Sequence, residues 1–158
     1  MLNKIKSEIF DFFPSFLLKD NIISGDVVDA VQEIRVRVGQ AINIRGSAID
    51  LFVGDILKPE HILKLLENFS DNSIYAVQSE LNLGYITIKG GHRIGVSGTC
   101  IIEDGKVKNI KYISSLNIRV AREIKNCSDS LFKYIIRKNE FNNTLILSPP
   151  RVWKNNIA

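Results

Sequence analysis

The stretch GYITIKGGHRIGVSGTCIIEDGKVKNIKYISSLNIRVAREI, from Gly84 to Ile124, constrains the fold more than any other part of the chain. Apolar and polar residues alternate along most of it, the period of a half-buried strand. Gly90-Gly91 and Asp104-Gly105 interrupt the alternation. Such dipeptides supply the positive-φ positions of tight hairpin turns. Strands are expected near 83–89, 92–102, 106–112 and 116–123. The segment Gly90 to Gly98 holds four glycines with His92, Arg93 and Ser97, which invites comparison with a phosphate loop. Its glycines stand among β-branched residues and no helix follows, so a twisted hairpin with glycines at turns and bulges is the expectation. The functional alternative is that Arg93 faces an anion or a partner chain.

Upstream, EIRVRVGQAINIRG (Glu33 to Gly46) repeats the β pattern. Ile34, Val36 and Val38 alternate with Glu33, Arg35 and Arg37, which predicts a strand with a charged outer face. Ala41 to Arg45 and Ile49 to Val53 predict two more strands. Arg35 and Arg37 share a face; solvation is the plain reading, and phosphate or an acidic subunit surface is the chemically sensible ligand. Arg119 sits outward on another strand. Lys58-Pro59-Glu60 opens a helix with Pro59 at its first position. Ile62, Leu63, Leu65, Leu66 and Phe69 continue it, and a short helix follows over 74–81. Ile9 to Leu18, IFDFFPSFLL, reads as a helix packed on the core, with an aromatic docking helix as the alternative. It is about half the length needed to cross a membrane.

A chain of 158 residues accommodates one domain, or one domain with the start of another. Twenty-one Lys and Arg against 17 Asp and Glu leave a net charge of +4, spread along the sequence. The two cysteines, Cys100 and Cys127, match no metal spacing and are expected as free thiols. His61 and His92 belong to no ligand or triad pattern. Neither a catalytic constellation nor a metal site is predicted. The expected class is α+β over residues 1–125, followed over 126–158 by a helix from Cys127 to Asn139, a loop, and a short strand from Thr144 to Leu147.

The last residues, LILSPPRVWKNNIA, begin like the strand and shoulder of a phosphate loop. Such a loop needs G-x-x-x-x-G-K-[ST], whose amides and lysine hold phosphates and whose hydroxyl holds magnesium. With Ser148 at the first position, Lys154 falls in register. Trp153 replaces the second glycine and Asn155 the hydroxyl residue. A coding string for Arg-Val-Trp-Lys-Asn-Asn-Ile-Ala shifted by one base reads Gly-Cys-Gly-Lys-Thr-Ile-Leu, a sound phosphate loop after Ser-Pro-Pro. A one-base frameshift followed by early termination is therefore expected at the nucleotide level.

With that motif restored, EIRVRVGQ (33–40), NSIYAVQSEL (72–81), GYITIKGGHRIGVSGTC (84–100), ISSLNIRVAREI (113–124) and NTLILSPP (143–150) resemble, in order, the stage III sporulation protein AA family. These are sporulation ATPases related to the hexameric ATPases of bacterial secretion systems. The resemblance implies an N-terminal secretion-ATPase-type domain, followed here by only the first helix and strand of a RecA-like α/β domain. It implies ATP and Mg as ligands of the full-length family, with neither bound by this chain. Ser148, Pro149, Pro150 and Lys154 are the non-functional remnant of Walker A. Walker B is absent, so no ATP hydrolysis is expected. Arg93, Arg119 and Arg122 are candidates to contact phosphate or a neighbouring subunit. Placing Ile118 and Val120 inward puts Arg122 on their face, so it must be paired or at an interface. Implied partners are membrane proteins of the sporulation channel encoded in the same operon, with a homo-hexamer for the full-length family and no nucleic acid. The implied location is the cytoplasm on the mother-cell side, peripheral at the membrane. The alternative from another class is a basic module binding nucleic acid or an anionic membrane surface.

Overall fold

A computed structural model describes residues 2–18, 23–122, 126, 129–137, 140–145 and 147. The chain divides into two compact units, Met1–Ala121 and Arg122–Ala158. The first is α+β, a six-stranded antiparallel sheet covered on one face by helices.

Six strands form two meanders. β1 (Val31–Arg37), β2 (Ile42–Gly46) and β3 (Asp50–Val53) make the first. β4 (Tyr85–Thr87), β5 (Arg93–Glu103) and β6 (Lys106–Arg119) make the second. The meanders join where β1 pairs antiparallel with β6, giving the order β3-β2-β1-β6-β5-β4. Both predicted hairpin turns in the second meander are present. Gly90 and Gly91 have φ of +88° and +80°, and Asp104 and Gly105 have φ of +51° and +72°.

The strands expected over 106–112 and 116–123 are one strand, β6, of 14 residues. Its pairing with β5 slips between Ser97 and Thr99. Tyr112 takes a φ of +48° there. A Cβ on Gly98 would lie 2.7 Å from the Lys111 carbonyl oxygen, so the two chains pass too closely for any side chain at that point. The irregularity is therefore a bulge that bends one long ribbon, not a loop between two strands.

One face of the sheet makes the core. Ile34, Ile42, Ile44, Ile86, Ile94, Leu116 and Ile118 are buried there, as the alternation requires. Against them packs α3 (Pro59–Phe69), presenting Ile62, Leu65, Leu66 and Phe69. Pro59 starts the helix, and His61 Nδ1 accepts the Lys58 N–H at 3.2 Å. Ser70 Oγ donates back to the Leu66 carbonyl at 2.7 Å, and Asp71 and Asn72 turn left-handed to end it. The next segment is a 3-10 turn over Ile74–Val77 followed by α4 (Gln78–Asn82). Burying each large aliphatic side chain in this layer stabilises the fold by roughly 1.5–3 kcal/mol.

The N-terminal segment packs on the core but is not the continuous helix its apolar spacing suggested. α1 (Leu2–Glu8) stops before it, and only a 3-10 turn spans Phe10–Phe12. Phe13 is extended, with φ −76° and ψ 127°. The residue before a proline is driven out of the helical region, and Pro14 follows. Phe10 and Phe13 are buried, Phe12 and Phe13 contact the Phe69 ring, and Phe16 rests against His61. The aromatic cluster is therefore mostly core. α2 (Gly25–Ala30), capped by Ser24 Oγ, leads into β1.

In the second unit, α5 spans Asp129–Ile135, shorter than the helix expected over 127–139. β7 (Ile136–Arg137) and β8 (Glu140–Phe141) pair as a small hairpin. The strand expected from Thr144 to Leu147 does not form among the described residues, and Leu145 and Leu147 are more than 80% exposed there. A strand this apolar belongs between neighbours in a sheet; among the described residues none pairs with it. Ser148, Pro149, Pro150 and Lys154 lie outside the described residues, as does Cys127.

Candidate functional site

The sheet face opposite the core is polar. Antiparallel register places residues of all six strands in rows across it. One row runs Thr87, Arg93, Arg119, Glu33, Arg45, Asp50. The next runs Tyr85, Gly95, Asn117, Arg35, Asn43, Phe52. A third, across the three central strands, is Ser97, Ser115, Arg37. Five arginines thus share one face with two carboxylates.

The carboxylates pair locally. Arg35 Nη2 is 2.8 Å from Glu33 Oε2, and Arg45 Nε is 3.3 Å from Asp50 Oδ2. Asn43 Nδ2 also donates to Asp50 at 2.6 Å. Burial pushes the Glu33 carboxyl up, but hydrogen bonds from Asn117 and Arg35 and the charges of Arg35 and Arg119 outweigh it and hold the group below its ordinary value. Asn117 gives its amide to Glu33, and its Oδ1 is buried with no partner among the described residues.

Arg93 and Arg119, predicted separately from the sequence, are brought directly opposite each other on β5 and β6. Like charges so placed repel. Glu33 offsets Arg119 from the far side, whereas Arg93 has no ion pair among the described residues and lies over the Tyr85 ring at 3.9 Å. A guanidinium on an aromatic face keeps its N–H edge free for an oxyanion. Arg122 belongs to the second unit, is half-buried and has an interaction of its own. The two Ile-Arg-Val stretches at 34–36 and 118–120 meet at one pair only, Ile34 opposite Ile118, because the strands run antiparallel.

Sequence reasoning missed His92. Its ring is 1% exposed; Nδ1 accepts the Ala121 N–H at 2.9 Å and Nε2 lies 3.2 Å from Glu8. The pair joins α1 to the β4–β5 turn and to the exit of β6. No local pattern announces a contact between residues so far apart. Glu33 was legible only as an outward strand position, and Ser97 and Asn117 only as members of expected strands. Ser115 fell between the strands expected over 106–112 and 116–123, inside what is the single strand β6. No group of three or more His, Cys, Asp or Glu that could hold a metal occurs among the described residues, and no helix there is long and apolar enough to cross a membrane.

Fold and face together define an α+β domain with a helix-backed antiparallel sheet and an open arginine surface. The chain belongs to the family described as sporulation stage III, protein AA, whose model matches residues 7–158. It is 35% identical over 129 residues to stage III sporulation protein AA of Bacillus subtilis strain 168, covering 80% of this chain and 41% of that protein. The chain therefore spans 41% of the length of that relative. Among solved structures it is similar to the VirB11 ATPase of the Brucella suis type IV secretion system, crystallised with sulphate, at 16% identity and a TM-score of 0.34 over 86% of this chain and 37% of that one.

Proposed function

We propose that the six-stranded domain serves assembly in a sporulation ATPase. It holds subunits together and presents Arg93 and Arg119 to an acidic group, a nucleotide phosphate or a carboxylate, on a neighbouring subunit. The observation that supports this is the opposed pair itself. Two exposed guanidiniums on adjacent strands face each other with a single carboxylate beside them, an arrangement that an incoming anion relieves. ATP hydrolysis is the activity proposed for the whole protein, with ATP and Mg as its ligands and channel membrane proteins as its partners.

The test is the mass distribution of the 158-residue protein in solution, with and without the Arg93→Ala/Arg119→Ala double substitution. Self-association of the wild type that is lost in the variant, with thermal unfolding unchanged, is the expected result. Association that survives the double substitution overturns the proposal. Glu33 and Asp50 within the arginine rows argue against a uniformly basic module for nucleic acid or membrane. Steeply salt-dependent binding to either would favour that rival.

A further inference from the structure

We infer that the third row of the open face, with Arg35 beside it, forms a binding site for a phosphate dianion, free or as a monoester. This goes beyond the assembly reading and does not use Arg93 or Arg119. Arg37, Ser115 and Ser97 stand directly across β1, β6 and β5 from one another. They lie four positions from the Arg93–Arg119 pair along each strand, about 13 Å at the rise of a β-strand. A cavity of about 370 Å³ opens here, lined by Arg35, Arg37, Ser97, Ser115 and Asn117.

The lining is rich in unused donors. Arg37 is exposed and has no ion pair among the described residues. Neither the Ser97 nor the Ser115 hydroxyl has a hydrogen-bond partner there. Arg35 spends one edge on Glu33, which leaves further N–H groups on its guanidinium. Gly95, opposite Asn117, keeps the middle of the face low; a Cβ there would come no closer than 3.8 Å to anything, so glycine leaves room rather than avoiding a clash.

Charge and geometry select the ligand. Of the two guanidiniums here Glu33 offsets only Arg35, so Arg37 keeps the site net positive. A phosphate monoester or free phosphate brings three or four acceptor oxygens and nearly two negative charges at neutral pH. A carboxylate carries one charge and only two acceptor oxygens, too few for two forks and two hydroxyls. The buried Asn117 Oδ1 is an acceptor and repels an anion set against it. The phosphate therefore sits toward Arg37, Ser115 and Ser97.

The experiment is a titration of the ¹⁵N-labelled 158-residue protein with sodium phosphate at constant ionic strength, with sodium chloride as the matched control. Saturable shifts of the Ser97 and Ser115 amides and of the Arg37 side chain are expected, absent in chloride. Arg37→Gln should weaken binding at least tenfold, since it removes a charge-assisted pair of hydrogen bonds. The Ser97→Ala/Ser115→Ala variant should weaken it several-fold. Arg93→Ala should leave it unchanged, which separates this site from the assembly surface. Parallel arms use a nucleoside monophosphate and vesicles of phosphatidylglycerol in phosphatidylcholine. Binding of the monophosphate with the same variant pattern identifies an ester source. Binding to vesicles alone, shifts that never saturate, or equal loss in Arg93→Ala overturns the site.

Discussion

His92 Nε2 lies 3.2 Å from Glu8 Oε2, joining residues 84 positions apart in the chain. The same ring accepts the Ala121 N–H through Nδ1, so its hydrogen resides on Nε2 and is donated to Glu8. One buried side chain thus ties the first helix, a hairpin turn and the end of the last sheet strand. Removing it leaves a buried carboxylate and a buried N–H without partners. His92→Ala should cost about 2–4 kcal/mol in urea unfolding. Glu8→Gln, which keeps an acceptor for the ring N–H, should cost clearly less.

Gly90 makes that pair possible. Its φ is +88°, and a Cβ there would fall 2.5 Å from Glu8 Oε2 and 2.7 Å from His92 Nε2. Gly90→Ala should therefore destabilise by about 2–3 kcal/mol, combining backbone strain with displacement of the pair. Gly105 also has a positive φ, +72°, but open space around it. Gly105→Ala should cost only the conformational part, about 1 kcal/mol. Equal losses in thermal or urea unfolding would show that contact with the pair does not matter.

Glu33 gives the domain a pH dependence of definite sign. Its folded carboxyl lies below the ordinary value of 4.5, so the unfolded chain binds more protons in the acid range. The stability it contributes is fully present above that ordinary value and is lost as pH falls through the lower folded value. Unfolding free energy measured from neutral pH down to the acid limb should fall less steeply below pH 4.5 in Glu33→Gln than in the wild type. Parallel curves would remove Glu33 from the acid response.

Ile34 and Ile102 compare a buried with an exposed strand position. Ile34 is fully buried on the central strand β1, whereas Ile102 is 65% exposed on the projecting end of β5. Ile34→Ala should cost about 2–5 kcal/mol. Ile102→Ala should fall within about 1 kcal/mol of the wild type. Denaturant midpoints at unchanged slope give both values.

Local chemistry alone determines much of this protein. The alternation of Ile34 and Val36 with Glu33, Arg35 and Arg37 assigns each side chain to a face, because successive residues of a strand point opposite ways. Gly90-Gly91 and Asp104-Gly105 set two hairpins, because only such residues accept the required φ. Pro59 opens α3 for the same kind of local reason. Pattern reading failed where local signals compete or point to absent neighbours. Pro14 overrode the apolar spacing of Ile9 to Leu18, and Thr144 to Leu147 carries a buried-strand composition without a partner strand among the described residues.

Tertiary structure decided which strands lie together, and with that the candidate site. Periodicity states that Arg93, Arg119, Arg35 and Arg37 point outward; it does not state that Arg93 faces Arg119 or that Ser115 stands between Arg37 and Ser97. Arg93 meets Arg119, and Ser97 meets Ser115, through the register of the β5–β6 hairpin. Arg37 joins them only through the pairing of β1 with β6, a contact closed over the four strands and the helices between them. Register at such a contact is set by burying Ile34, Ile118 and Ile94 in one layer, since a slip of one residue would carry all of them to the solvent face. Outwardness is a property of each strand; the arginine rows exist only because the core selects one alignment.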